Sequence, residues 1–202
     1  LEFNMINFVN NSKLAPLKKM HKLYGEALAK NQKNIQAIAI ASYSNHNKQV
    51  DLRYVNLKFV DNNKLIFFSN YNSPKSEQFE SHKQISAVLY WSSTNIQIRM
   101  KGNIKKTSKV FSDTYFKNRN AKKNALSISS DQSKIIESYE MVKKKYQATI
   151  NKEDLFKRPS YWGGYEFSPN YFEFWEGHSS RLNKREVFII KNNNVSKHFL
   201  EP

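Results

Sequence analysis

RPSYWGGYEFSPNYFEFWEG, residues 158–177, followed by RLNKR at residues 181–185, is the stretch that decides how this chain is read. Gly164 to Ser168 and Tyr171 to Glu176 read as strands, dense in the aromatic residues that pack on a pleated surface. On pattern alone the stretch is a two-stranded core hairpin, with Gly163-Gly164 as its turn and Trp162 and Trp175 as packing. Two further strands follow, Glu186 to Ile190 and Val195 to Leu200.

The pattern upstream is similar. Gln36 to Tyr43, Gln49 to Val60, Leu65 to Asn70, Gln84 to Trp91 and Asn95 to Thr107 read as strands. Asp61-Asn62-Asn63-Lys64 supplies a hairpin turn. Helices are expected over Pro16 to Gln32, Ser73 to His82, Thr107 to Arg119 and Ser129 to Tyr146. Pro74 suits a first helical position, Ser73 can cap, and Ser129-x-x-Gln132 fits a capping box. Many short strands and few helices predict an α+β fold, mainly antiparallel β, closed as a barrel with helices at its edges. One domain is expected over residues 16–202, preceded by a tail over residues 1–15. Leu1 to Asn4 precede the first methionine, Met5, and are set aside as a cloning remnant.

Composition excludes several chemistries. The 202 residues contain no cysteine, which removes disulfides, thiolate metal sites and cysteine nucleophiles and suits a reducing, cytoplasmic compartment. The five histidines show no metal-ligand spacing, so no metal is expected. No hydrolytic or P-loop motif is present, and no apolar run or leader pattern marks a membrane span or signal peptide. The net charge of +16 has three readings: a bias toward Lys, a nucleic-acid surface, or sites for anionic ligands such as phosphates. The lysines are scattered in short runs, which favours the bias over nucleic acid. Cations and amides on strand ends and loops bind phosphate well and do little chemistry alone, so a cofactor is the natural carrier of a reaction.

The C-terminal stretch resembles the signature of the pyridoxamine 5'-phosphate oxidases: P-S-x-W-G-G, then E-F-W, then R-L-H-D-R, ending in L-x-P. Here these are Pro159 to Gly164, Glu173 to Trp175, Arg181 to Arg185 and Leu200 to Pro202. The resemblance runs upstream in the same order. Arg53 to Lys58 is similar to R-x-V-L-L-K. Phe67 to Asn70 with Ser73 to Lys75 is similar to F-Y-T-N…S-R-K. Gln97, Tyr115 to Arg119 and Gln132-Ser133 are similar to the family's glutamine, its Y-F-x-x-R and its Q-S.

The resemblance implies an FMN-binding split β-barrel with flanking helices, assembled as a homodimer with a flavin at each interface site. It implies flavin contacts from Arg53, Lys58, Phe68, Ser69, Lys75, Gln97, Gln132, Ser133, Trp175 and Arg185. Substrate contacts would come from Lys58, Tyr115, Arg119 and Lys123. Arg181 and Asn183 would act beside the reacting carbon. The implied reaction is oxidation of pyridoxamine or pyridoxine 5'-phosphate to pyridoxal 5'-phosphate, with FMN accepting hydride and oxygen the electrons. The implied alternative is a flavin or pyridoxal-phosphate binder with little oxidase activity.

Arg53 and Lys58 are five apart, which strict strand alternation puts on opposite faces. Either the strand bulges or the two serve different parts of an interface. Gln132 as a mere cap, Trp175 as packing and Lys75 as a solvated cation remain open. The chain departs from the family pattern at Asn183 (histidine), Lys184 (aspartate), Pro74 (arginine), Phe68 (tyrosine) and Lys123 (serine). An arginine-rich N-terminal lid is not evident before Pro16. These departures fall more on the substrate loop than on the phosphate-binding residues.

Overall fold

The computed structural model describes residues 5–151, 154–192 and 194–202; Leu1 to Asn4 lie outside them. Its elements in chain order are β1 (Asn7–Asn11), α1 (Ala15–Ala29), β2 (Ala37–Ser44), β3 (Gln49–Asn56), β4 (Phe59–Asn62), β5 (Lys64–Asn70), α2 (Pro74–Ser81), β6 (Gln84–Trp91) and β7 (Ile96–Lys106). Then come α3 (Lys109–Lys117), α4 (Ala121–Ser129), α5 (Tyr139–Ile150), β8 (Trp162–Glu176), β9 (Lys184–Lys191) and β10 (Asn194–Leu200).

The strands form one sheet in the order β1-β4-β5-β8-β7-β6-β2-β3, and β9 joins β8 to β10. Among the described residues every pairing is antiparallel except β1 with β4. Alternation explains the inner strands. In β6, Ile85, Ala87, Leu89 and Trp91 point into the core, and in β7 Ile96, Ile98, Met100 and Ile104 do the same. Helix α1 adds Leu17, Met20, Tyr24 and Ala27 to that core.

Strand β8 organises the sheet. From Tyr165 to Glu176 it pairs with β7, while its first half pairs with β5 and its second half with β9. The change of partner falls at a bulge, where Lys101 faces Tyr171 and Gly102 faces Pro169, leaving Asn170 unpaired. Gly102 is required there, because a Cβ would meet the Ser168 carbonyl oxygen at 2.2 Å. The stretch read as a hairpin is therefore one continuous strand. Gly163-Gly164 is not a turn: a Cβ on Gly163 would lie 2.1 Å from Tyr71 Oη, so the pair makes room for close packing.

Three other expectations are corrected. Residues 7–11, assigned to a tail, form β1, and Ile6 is buried beside it. The helix expected over Ser129 to Tyr146 is present only in its second part: Ser129 ends α4, residues 130–138 are irregular, and α5 begins at Tyr139 and runs to Ile150. The capping box at Ser129 is thus not a helix start. The strand expected over Gln49 to Val60 is broken at Leu57-Lys58. There Leu57 is fully buried, its N–H bonded to Gln36 O, and the Lys58 N–H bonds Ile66 O.

Three buried carboxylates in β8 and β9 absorb part of the positive charge. Glu166 pairs with Lys64 and Lys105, Glu173 with Arg99 and Arg185, and Glu186 with Lys19 and Lys197. Burial, with Lys184 and Lys197 nearby, brings the Lys19 pKa down to about 8. No helix among the described residues is long and apolar enough to cross a membrane. No group of three or more His, Asp or Glu among them could hold a metal ion.

Candidate active site

A cleft of about 360 Å³ opens between the end of β3, β5, α2, α3 and the stretch from α4 to residue 132. It brings together Lys58, Phe68, Ser69, Lys75, Tyr115, Arg119 and Gln132 from the expected site. Among the described residues its lining holds three cations and no carboxylate. In a low-dielectric cleft that arrangement raises the free energy of each cation and favours an anionic occupant.

Each cation is placed by local structure. Lys75 sits in the first turn of α2, which opens with Pro74. Its Nζ donates to Ser73 Oγ at 3.1 Å and Gln132 Oε1 at 3.0 Å, and Ser69 Oγ reaches the same Gln132 oxygen at 3.3 Å. Burial, reinforced by Arg53, lowers the Lys75 pKa to about 8. Ser73 is the N-cap residue, but its hydroxyl donates to Asn70 O instead of capping. Lys58 emerges where the backbone breaks between β3 and β4, so its orientation escapes strand alternation. Its pKa is lowered by burial and then by Lys123 and Arg119.

Arg119 lies just past α3, not within it, since Asn118 is the C-cap. Its Nη1 donates to Lys123 O at 2.8 Å, Ser127 Oγ at 2.8 Å and Asn124 Oδ1 at 3.1 Å. Its guanidinium carbon lies 5.0 Å from the centre of the Trp162 ring. Tyr115 stacks on Phe68 with centroids 3.7 Å apart, and Phe68 stacks on Trp162 at 5.2 Å. Burial raises the Tyr115 pKa, so its hydroxyl is neutral and able to donate near neutral pH.

Other expected residues stand apart. Arg53 lies behind the cleft, bonded to Ser42 Oγ at 2.5 Å and Gln78 Oε1 at 3.0 Å. Ser133 is beyond the lining with φ of 71°, and Ser130 takes its place in the wall. Gln97, Trp175 and Arg185 face one another across β7, β8 and β9, outside the cleft. Arg185 uses Nε and Nη2 on Glu173 and Nη1 on Glu201 O, leaving two of its five N–H groups.

Arg181 and Asn183 belong to an exposed loop after β8, also outside the cleft. Arg181 adopts φ of 66°, and the Asn183 side chain accepts from the His178 N–H at 3.0 Å. His178 Nδ1 in turn lies 2.6 Å from Ser180 Oγ. Within one chain this loop is organised by its own bonds.

The sequence reading missed Trp162 as a cleft wall and missed Asn124, Ser127 and Ser130 altogether. The Gly163-Gly164 pair was the available signal for Trp162, because it allows β8 to approach α3 closely. Asn124 had no local signal.

Comparison with known proteins agrees with this geometry. Residues 25–152 match the family model for pyridoxamine 5'-phosphate oxidase, and residues 162–202 match that for the pyridoxine 5'-phosphate oxidase C-terminal dimerisation region. The pyridoxine/pyridoxamine 5'-phosphate oxidase of Trichormus variabilis is 34% identical over 179 residues, 88% of this chain and 83% of that protein. The enzyme of the same name from Leptospira biflexa is 33% identical over 190 residues, 93% and 89% of the two chains.

Among solved structures, PhzG from Burkholderia lata, in complex with tetrahydrophenazine-1-carboxylic acid, superposes with a TM-score of 0.86. It is 20% identical and covers 96% of this chain and 100% of its own. A pyridoxamine 5'-phosphate oxidase-related, FMN-binding protein from Nostoc punctiforme gives 0.78 at 14% identity, covering 94% and 99%. The chain therefore belongs to the pyridoxamine 5'-phosphate oxidase family, a family of FMN-binding split barrels.

Proposed function

We propose that the chain oxidises pyridoxamine 5'-phosphate or pyridoxine 5'-phosphate to pyridoxal 5'-phosphate as an FMN-dependent homodimer, with oxygen as final electron acceptor. The observation that carries this reading is the cleft, in which Lys58, Lys75 and Arg119 converge beside aromatic walls with no carboxylate among the described lining residues. Two phosphate monoesters, one on the flavin and one on the substrate, suit that charge.

The donors fit FMN. Lys75, Ser69 and Gln132 already form a bonded triad, with Arg53 adding positive charge behind it. They would hold the flavin phosphate through charge-assisted bonds. FMN, when bound, supplies hydride acceptance. Lys58, Tyr115, Arg119 and Lys123 would grip the substrate phosphate. Phe68, Tyr115 and Trp162 would exclude water from the rings.

Gln97, Trp175, Arg181, Asn183 and Arg185 would reach a flavin only from a second copy. Four of those five lie in the segment that matches the dimerisation region. Val50, Leu52 and Tyr54, each more than 65% exposed on one face of edge strand β3, give that copy an apolar surface.

One observation favours a second reading, a flavin or pyridoxal-phosphate binder with little turnover. Asn183 stands at the loop position where the family pattern has histidine, and an amide exchanges no proton near neutral pH. The test is purification with FMN, a visible absorption spectrum, and a turnover assay on both phosphorylated substrates. Pyridoxal phosphate formed with stoichiometric oxygen consumption supports the oxidase. A flavin spectrum without turnover supports the binder; no flavin binding overturns the oxidase, and no binding of flavin or of pyridoxal phosphate overturns both.

A further inference from the structure

We infer that Asn124 is a positioning residue for Arg119, holding its guanidinium in the cleft without cancelling its charge. The inference rests on the reading of Arg119 as a substrate-phosphate ligand.

Asn124 is fully buried in α4, and a buried amide has to be bonded on both of its ends. Its Nδ2 donates to Phe116 O at 2.9 Å and to Arg119 O at 3.5 Å, while its Oδ1 accepts from Arg119 Nη1 at 3.1 Å. One side chain thus ties the last turn of α3, the Arg119 backbone and the Arg119 guanidinium to α4. The same Nη1 also donates to Ser127 Oγ and Lys123 O. Trp162 covers the guanidinium from β8. Among the described residues these restraints on the guanidinium act on one nitrogen or on its planar face.

The choice of an amide is chemically specific. An aspartate would make the same contact with Arg119 but neutralise a cation the cleft needs. It would also lose the donor that serves Phe116 O. An apolar residue would release the guanidinium, and the buried Phe116 carbonyl would lose a partner.

A double-mutant cycle on the FMN-loaded protein tests this, with pyridoxal 5'-phosphate as the titrant. Asn124→Ala should weaken its binding about five- to tenfold, and Asn124→Asp at least as much. FMN affinity should stay within about twofold. Combined with Arg119→Ala, Asn124→Ala should add no further loss. If the two losses multiply in the double variant, or if FMN affinity falls in parallel, Asn124 is only structural and the inference fails. Should Asn124→Ala not fold, the near-isosteric Asn124→Leu, which removes the same bonds without adding a charge, is carried through the same cycle with the same criteria. Arg119→Ala without effect on pyridoxal phosphate would overturn the reading of the cleft itself, and the inference with it.

Discussion

Lys75 Nζ lies 3.0 Å from Gln132 Oε1, joining the first turn of α2 to the irregular stretch after α4 across 57 residues of chain. The contact places an ammonium whose pKa is about 8 in the wall of the cleft. Because the folded pKa lies below the ordinary lysine value, Lys75 is charged below pH 8 and loses its charge above it. FMN affinity is expected to be full below about pH 8 and to fall as pH rises through it. Fluorescence titration of the apoprotein at a series of pH values checks this. Affinity that stays flat across that range, or survives Lys75→Ala, would remove Lys75 from the phosphate site.

Arg119→Ala is expected to weaken pyridoxal phosphate binding by roughly 10- to 150-fold while FMN binding changes little. Equilibrium dialysis of each ligand separates the two. Equal losses for both ligands would show that Arg119 supports the cleft as a whole.

The loop after β8 gives a different prediction. Asn183 Oδ1 accepts from the His178 N–H, so Asn183→Leu should unfasten the loop and slow turnover by about tenfold. Asn183→Asp keeps the acceptor and should remain within a few-fold of the parent. Steady-state kinetics on both variants distinguishes a fastener from a proton carrier. A carboxylate variant that outpaces the parent by about 100-fold would argue for missing proton transfer instead.

Leu52→Glu puts a charge on the apolar outer face of β3, where Leu52 is 69% exposed in a single chain. The variant is expected to be monomeric in light scattering and to lose at least about tenfold in FMN affinity. A monomer that keeps its flavin affinity would show that one chain suffices.

Gly102→Ala is a stability prediction. The added methyl would meet Ser168 O at 2.2 Å and Pro169 Cα at 2.6 Å, both backbone atoms that cannot rotate away. A loss of roughly 2–4 kcal/mol is expected, read from denaturant unfolding.

What was legible followed from periodicity. The expected strands over Gln84 to Trp91 and Asn95 to Thr107 coincide with β6 and β7 to within a residue, because each buries one face. What was not legible depended on distant partners. Residues 7–11 carry little apolar pattern and become a strand only by lying beside β4. Ser129-x-x-Gln132 looks like a helix start, yet Gln132 spends its oxygen on Ser69 and Lys75, contacts that no local reading contains. Likewise, Tyr115 and Arg119, singled out by the family pattern, both line the cleft, while Asn124 became visible only when its three bonds were seen together.

The place of β8 bears on how the chain comes off the ribosome. Phe67 pairs with Tyr165 and Gln97 with Trp175, so β5 and β7 both wait for a strand made much later. Until residues beyond 162 emerge, a nascent chain carries two long apolar strands with open edges, the state most prone to join other chains. Such high contact order also slows the search once synthesis is complete. A stop codon between the end of β7 and Trp162 should yield insoluble fragments rather than a smaller working barrel.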